Sequence, residues 1–302
     1  MKIIDLTEKF YRGCAGGCVR MNDALLACFD TAPKYLLRAK CPSGVRICFS
    51  TDAREMTFSL VFGQAVRPVF TSDCFIDARR ITLQGEGPHK LEFPPGEKNV
   101  SIHLPHLVRI DGVEIAVNDE ASVVPVPEMR PRILFCGDSI MQGMVTTSPF
   151  SAPAPRTAAA LNMDFINTSV GGAKMDPEHV RLTALLPGDF MIVALGVNDA
   201  IMKTPPDAFA ANTEKSLACF ETFRGKKYLV LPIPNTAPST PDLNEYREII
   251  RACAGKYPGI RLLDGYEFFP AQKENYHDGT HPNDRGAALY AEYLTQTIGD
   301  GR

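Results

Sequence analysis

A serine, a histidine, an aspartate, a glycine and an asparagine in the second half of this chain have the types that acyl transfer requires. Ser139 lies in Gly137-Asp138-Ser139-Ile140, directly after the apolar run Ile133-Leu134-Phe135-Cys136. His281 lies in Asp278-Gly279-Thr280-His281-Pro282-Asn283, with Asp278 three residues before it. A serine hydroxyl is a weak nucleophile until a base takes its proton. An imidazole is such a base, and a carboxylate close to it in a turn can accept the other ring N–H and fix the tautomer. The tetrahedral intermediate places negative charge on oxygen, where preorganised donors must meet it. The Ser139 N–H, the Gly172 N–H and the Asn198 side-chain amide are the available set. Glycine suits the second position because no Cβ obstructs the approach of its backbone.

Taken singly, each of these residues is ordinary turn or capping chemistry; Ser139 alone reads as a helix cap. The elements around them change that reading. From Arg132 onward, short apolar runs alternate with helix-length amphipathic segments. The strands are expected at Ile133–Cys136, Asp164–Asn167, Phe190–Leu195, Lys227–Leu231 and Ile260–Leu263. The helices are expected around Arg156–Leu161, Pro177–Leu186, Pro206–Phe223, Asp242–Lys256 and Asn283–Ile298. This alternation implies a parallel sheet covered by helices on both faces. Ligands of such sheets bind at the carboxyl ends of the strands. Gly-Asp-Ser, Asn167-Thr168-Ser169-Val170-Gly171-Gly172, Gly196-Val197-Asn198-Asp199 and the His281 loop are all placed at that edge.

The first part of the chain has a different texture. Short segments with strand character, many alternating apolar with polar, are expected at 34–39, 45–50, 56–62, 68–71, 80–83, 89–93, 99–104 and 107–110. Turn signals such as Gly85-Glu86-Gly87-Pro88 and Pro94-Pro95-Gly96 punctuate them. The pattern predicts a β-sandwich or jelly roll. The proline-rich piece Val123–Pro131 marks the boundary, giving a β-sandwich over 1–128 and an α/β/α catalytic domain over 129–302.

Composition excludes several function classes. In 302 residues the net charge is −3, which offers no basic field for nucleic acid and no polybasic membrane patch. No apolar run reaches transmembrane length, so no membrane partner is expected. The start, Met1-Lys2-Ile3-Ile4-Asp5, lacks an apolar signal core, and a cytoplasmic location is expected. The nine cysteines are an odd number scattered through both halves, which fits reduced thiols better than a disulfide framework. Cys14 and Cys18 lack a second pair at zinc-finger spacing, and the proline between His103 and His106 keeps those rings off a common helical face. No metal site is expected.

The four blocks Gly137-Asp138-Ser139-Ile140, Gly172, Gly196-Val197-Asn198-Asp199 and Asp278-Gly279-Thr280-His281-Pro282-Asn283 resemble, in order and as a set, those of the SGNH (GDSL-type) hydrolases. The resemblance spans roughly 132–300. It implies a Ser139–His281–Asp278 triad and an oxyanion hole of Ser139, Gly172 and Asn198. Gly172 matches the family's spacing from Asn167, with Gly171 the alternative. The layout of a β-sandwich before such a domain resembles carbohydrate esterase family 2 and related GDSL-like acyl-esterases, which implies O-deacetylation of sugars. An α/β-hydrolase fits less well, because its nucleophile elbow needs glycine two residues after the serine. Here that position is Met141.

The function expected is therefore a serine esterase acting on small acyl, chiefly O-acetyl, esters of carbohydrates, with no metal or organic cofactor. The alternatives are a lysophospholipase or thioesterase, which would need a long acyl groove, and a non-catalytic glycan-binding protein. The absence of tryptophan counts against a long polysaccharide cleft. A small-molecule or oligosaccharide ester is the expected substrate. Met141, Gln142, Met144 and Phe150 are expected to line the acyl or leaving-group side, and His277 the rim. Asp138 and Asp199 are expected to hydrogen-bond the loops. Core packing explains the Phe209, Leu217, Phe220 and Phe223 stripe.

Overall fold

The computed structural model describes residues 1–128, 131–237 and 242–300. In chain order the first part contains β1 (Lys2–Ile3), β2 (Tyr11–Arg12), α1 (Asp23–Ala27), α2 (Pro33–Lys40), β3 (Arg46–Thr51), β4 (Glu55–Ala65), β5 (Thr71–Ile76), β6 (Arg79–Gln84), β7 (His89–Glu92), β8 (Lys98–His103), β9 (Val108–Val117) and β10 (Val123–Pro125). Two antiparallel sheets result. One has the order β1-β9-β4-β7; the other runs β10-β3-β8-β5-β6, with β2 pairing on β3. Alternate residues of each strand face one shared core: Ile47 and Phe49 of β3, Met56, Phe58 and Leu60 of β4, and Val100 and Ile102 of β8. The period-2 alternation of the sequence thus becomes the inner face of a sandwich.

The second part contains β11 (Arg132–Gly137), α3 (Ser139–Gln142), α4 (Pro153–Ala160), β12 (Asp164–Asn167), α5 (Pro177–Ala184), β13 (Phe190–Ala194), α6 (Val197–Ile201), α7 (Pro206–Glu221), β14 (Lys226–Val230), α8 (Asn244–Ala254), β15 (Ile260–Leu263), α9 (Gly265–Phe268) and α10 (Asp284–Gly299). The sheet is fully parallel with the order β12-β11-β13-β14-β15. Its strands are buried on both faces. Ile133 and Phe135 of β11 face Ala154, Ala158, Tyr290 and Leu294 of α4 and α10. Leu134 and Cys136 face the opposite layer, with Val180 of α5, Phe209 and Leu217 of α7 and Ile250 of α8. The chain winds outward from β11 to β12, then returns across it to β13. That reversal opens a crevice at the carboxyl ends of β11 and β13, where doubly wound sheets bind ligands.

The expected strand at 34–39 is instead helix α2. Pro33 occupies its first turn and Arg38 and Lys40 its last, the positions where a fixed φ and positive charge favour a helix. A short apolar run does not by itself distinguish strand from helix. The expected strand at 68–71 begins only at Thr71, after Pro68. Met129 and Arg130, beside the expected boundary, lie outside the described residues.

The segment between β2 and β3 does not join the sandwich core. Met21, Leu25, Phe29 and Ala39 pack in the same cluster as Leu134, Val170 and Val180. Arg20 fixes this excursion. Its buried guanidinium donates to Arg38 O and Ala39 O on α2 and to Ser169 O after β12. Polar contacts also weld the sandwich to the parallel sheet. Arg46 of β3 pairs with buried Asp164 of β12, and Asp73 of β5 accepts from Phe150 N at 2.8 Å. Burial pushes the Asp73 carboxyl up, but hydrogen bonds from Arg80, Phe150, Thr82 and Ser148 outweigh it and hold it below the usual range.

Candidate active site

Strand β11 ends at Gly137, and Asp138 turns the chain into α3. The Asp138 carboxylate caps that helix by accepting from Ile140 N at 2.9 Å. Ser139 is therefore the first helical residue, and N–H groups of a first turn have no acceptor within the helix. Gly143, at φ +80°, terminates the helix.

His281 reaches Ser139 from a loop 142 residues further along the chain. Its loop is closed by backbone bonding from His277 N to His281 O at 2.8 Å and by the start of α10, where Asn283 caps Arg285 and Gly286. Gly279 adopts φ +85° in that loop, packed against Ala237. Asp278 Oδ1 accepts from Thr280 N and His281 N, while Oδ2 lies 2.8 Å from His281 Nδ1. His281 Nε2 lies 2.9 Å from Ser139 Oγ. A carboxylate only accepts, so Nδ1 carries the proton of neutral His281 and Nε2 presents its lone pair to the serine hydroxyl. Burial pushes Asp278 up, but the hydrogen bonds and charge of His281 and the Thr280 N–H prevail, and its carboxyl sits below the usual value.

Gly171 and Gly172 differ in what their N–H groups do. Gly171 N donates to Gln142 Oε1 at 2.7 Å. Gly172 N has no hydrogen-bond partner among the described residues. Gly172 has φ +88°, and a Cβ there would lie 2.5 Å from Tyr35 Cε1. Asn198, in the first turn of α6, donates one amide hydrogen to Ala173 O at 2.9 Å. Its other amide hydrogen has no partner among the described residues. Asp199 beside it is fully buried and accepts from Met175 N at 2.8 Å, so α6 grips the Gly172–Met175 loop at two points. Ser139, His281 and Asp278 are thus in direct hydrogen-bond contact, Gln142 ties the serine helix to Gly171 next to Gly172, and Asn198 is tied to the same loop through Ala173 O.

Several expected lining residues do other work. Met141 is core beneath α3, and Met144 is buried. Gln142 is fully buried and bridges the glycine loop to α2, donating to Arg38 O at 2.9 Å. Phe150 packs on Phe75 and His103 of the sandwich. His277 is exposed at the rim. His103 and His106 are buried, and burial lowers them to about 3 and about 4. His106 lies 2.9 Å from Gly143 O, at the end of the serine helix.

Sequence reasoning missed Tyr35 and Arg38. Both reach the glycine loop from α2, and Arg38 Nη1 donates to Gly171 O at 2.8 Å. Pro33 followed by a basic helix end was the available signal. Beyond Gly172 a cavity of about 320 Å³ opens, lined by Phe29, Tyr35, Lys174, His179 and Met202 among others. A larger cleft of about 510 Å³ lies at Tyr11, Cys14 and Pro127, remote from these residues. No group of three or more His, Cys, Asp or Glu side chains able to hold a metal occurs among the described residues. No helix among them is long and apolar enough to cross a membrane.

No curated protein matches the chain. Among solved structures it is similar to a salicylyl-acyltransferase, SsfX3, of a tetracycline biosynthetic pathway (21% identity, 96% of this chain and 94% of that one, TM-score 0.76). It is similar also to a GDSL-like lipase from Bacteroides ovatus (17% identity, 99% and 98%, TM-score 0.80). A family two carbohydrate esterase from Clostridium thermocellum, in complex with cellohexaose, matches at 16% identity over 86% and 93% with a TM-score of 0.65. At these identities the likeness is one of fold. The model of the GDSL-like lipase/acylhydrolase family matches residues 135–289, more than half of the chain. The chain belongs to that family of carboxylic ester hydrolases.

Proposed function

We propose that the protein is a serine esterase that removes small acyl groups, acetyl foremost, from carbohydrate or similarly small alcohols. The observation that carries the reading is the unbroken contact chain from Asp278 through His281 to Ser139. In the proposed cycle Ser139 Oγ attacks the acyl carbonyl while its proton passes to His281 Nε2. The carbonyl oxygen, now negative, is met by the N–H groups of Ser139 and Gly172 and by the Asn198 amide. Collapse of the intermediate breaks the bond to the alkoxy oxygen, which takes the proton from His281 and leaves as alcohol. Water then attacks the acyl-serine with His281 as base, and the acid departs. Asp278 holds the ring and stabilises its charged form throughout. The chemistry so described uses no metal or cofactor.

The cavity that adjoins Gly172, at about 320 Å³, is at the small end of ligand pockets, and its lining includes Gly172 but neither Ser139 nor His281; its size favours a compact substrate group there over a long lipid chain. The carbohydrate assignment draws on the fold shared with carbohydrate esterases. The test is release of acetate from an aryl acetate and from acetylated sugars. Turnover by the wild type that disappears in Ser139→Ala supports the reading; equal rates in the two overturn it. A rate that rises steadily from acetyl to octanoyl esters would move the assignment to a lipid or thioester acyl hydrolase. Binding of acetylated glycans without turnover would move it to a glycan-binding protein.

A further inference from the structure

Arg38 lies in the last turn of α2, three residues after Tyr35, so both side chains leave the helix on one face. That face meets the glycine loop. A Cβ on Gly172 would lie 2.5 Å from Tyr35 Cε1 and 3.1 Å from Arg38 Nη1. Arg38 Nη1 donates to Gly171 O at 2.8 Å. Arg46, Arg80 and Arg247 are each paired with an aspartate. Arg38 has no carboxylate partner among the described residues, and its Nε is buried without a hydrogen bond. The Arg38 backbone is held too. Its carbonyl accepts from Gln142 Nε2 and from Arg20 Nη2, each at 2.9 Å. Gln142 Oε1 in turn accepts from Gly171 N at 2.7 Å. The bonds Gln142–Arg38, Arg38–Gly171 and Gly171–Gln142 therefore close a ring. One member sits on α3 with Ser139, one on α2 and one in the glycine loop. Both backbone polar groups of Gly171 are used in it.

The Gly171 carbonyl and the Gly172 N–H belong to the same peptide unit. That unit is trans and planar, so its C=O and N–H bonds point in opposite directions. A group that fixes the carbonyl thereby fixes the direction of the N–H. The bond from Arg38 also acts on the electrons of the amide. A charged donor at the carbonyl oxygen draws density away from the nitrogen and makes the N–H a stronger donor. A stronger donor stabilises a full negative charge on oxygen more than it stabilises a neutral ester carbonyl. The effect therefore falls on the transition state, and on kcat rather than KM.

We infer that Arg38 is a positioning residue for ester hydrolysis, which orients and polarises the Gly172 N–H by binding the carbonyl of Gly171. The inference rests on the esterase reading, in which that N–H meets the oxyanion, and adds a residue to it. Arg38 acts through the peptide and not on the substrate. Gln142 keeps the same peptide in register with the nucleophile, because it bonds Gly171 N and Arg38 O from the short helix that begins at Ser139. The strength of the donor is thus set by a helix inserted between β2 and β3, in the first part of the chain, while the parallel sheet carries the serine.

The experiment measures kcat and KM on 4-nitrophenyl acetate for the wild type, Arg38→Met and Arg38→Lys, and for Arg38→Met combined with Gly172→Ala or with Asp278→Asn. Methionine keeps an unbranched stem and removes donor and charge; lysine keeps a charge and a donor but not the planar fork. Thermal unfolding establishes that each variant is folded, and Arg38→Gln, also neutral, replaces Arg38→Met should the latter not fold. The expected loss in Arg38→Met is about 10- to 100-fold in kcat, less than loss of the whole donor, with KM within about twofold. Arg38→Lys should recover part of it. In the Gly172→Ala background Arg38→Met should cost little more, because both changes act on one donor, whereas in the Asp278→Asn background it should cost its full factor. A folded neutral variant with the wild-type kcat overturns the inference. So does a loss confined to KM, which would put the guanidinium on the substrate. A full further loss in the Gly172→Ala background also overturns it, since Arg38 would then reach the reaction by another route. Gly172→Ala with unchanged turnover overturns the donor assignment and the inference with it, and leaves the esterase standing. Absence of turnover by the wild type overturns the esterase reading itself.

Discussion

Ser139 Oγ and His281 Nε2 are 142 residues apart in the chain and 2.9 Å apart in space. The hydroxyl is only slightly exposed, so water does not compete freely for the bond. Ser139→Ala should remove nearly all turnover, by about 10⁴-fold or more, because what is left is binding and oxyanion stabilisation without a nucleophile. The side chain makes no other bond, so the unfolding midpoint should barely move. Active-site titration with an organophosphonate should label the wild type and spare the variant; labelling of the variant would place the nucleophile elsewhere.

Asp278 does two jobs at once. Oδ1 shapes the loop through the Thr280 and His281 N–H groups, and Oδ2 holds the imidazole. In Asp278→Asn the loop bonds can survive through the amide oxygen, whereas the group facing Nδ1 becomes an NH₂ that favours the wrong tautomer. A loss of about 10³-fold or more in kcat is expected, with a small change in KM. The carboxylate is 41% exposed, so water can partly replace it, and the loss should be smaller than for Ser139→Ala. Equal losses in the two variants would show that solvent does not relieve the mismatch.

The two adjacent glycines give separable predictions. Gly172→Ala places a Cβ 2.5 Å from the Tyr35 ring at φ +88°, so the loop must shift and carry its N–H away. Loss of one oxyanion donor costs about 10²–10³ in kcat. At Gly171 an added Cβ meets the flexible end of Met144, and the N–H is already held by Gln142. Gly171→Ala should therefore lower stability more than kcat. Asn198→Ala should resemble Gly172→Ala in rate and also release Ala173 O, visible as faster hydrogen exchange in the glycine loop.

The meeting of Ser139 with His281 and Asp278 was legible because the physics of their blocks is local. A buried strand that ends in Gly-Asp-Ser has few other ways to continue, and the parallel sheet carries each such end to the same edge. The sandwich strands were legible for the same reason, through alternation. The helix α2 was not, because Lys34–Ala39 has one short apolar run that either period can accommodate. What decided it was the tertiary setting, with Ala39 buried against the parallel sheet and Arg20 bonding the helix's last carbonyls. Met141 was misplaced as lining because short helix α3 turns it inward into the core, and Met144, past the Gly143 cap, is buried against Gly171.

Arg46 and Asp164 join β3 of the sandwich to β12 of the parallel sheet, both largely buried, with the guanidinium also 4.3 Å over the Phe165 ring. Removing one partner strands the other charge. Arg46→Met or Asp164→Asn should destabilise by about 3 kcal/mol or more, while the double replacement should cost less than the sum. Denaturant unfolding of the set measures the coupling. Additive losses would show that the pair contributes as two independent hydrogen-bonding groups.

Asp138 makes stability depend on pH in a direction opposite to most carboxylates here. It is buried beside the nucleophile, and burial, aided by the negative charge of Asp199, raises it to about 7. Between roughly pH 4 and 7 the folded protein then holds a proton that an unfolded aspartate has released. By linkage its contribution to stability is full below the unfolded value and declines as pH rises towards the folded one. Asp264, lowered to about 2 against the burial that would raise it by Arg247 and Arg251, runs the other way and loses its contribution only below about pH 4. The buried His103, His106 and His179, all lowered by burial, favour the fold more as pH rises. The Asp264 and histidine terms are common to wild type and variant, so the difference between the two reports Asp138 together with its coupling to Asp199, itself raised by burial. Asparagine keeps an oxygen to accept from Ile140 N and titrates nowhere in this range. Asp138→Asn should therefore match the wild type within about 1 kcal/mol at pH 5 and exceed it by about 1–3 kcal/mol at pH 8. Thermal or denaturant unfolding of both proteins across that interval gives the comparison. A difference that stays constant with pH would mean that Asp138 is ionised in the fold throughout, with its charge met by the first-turn N–H groups of α3.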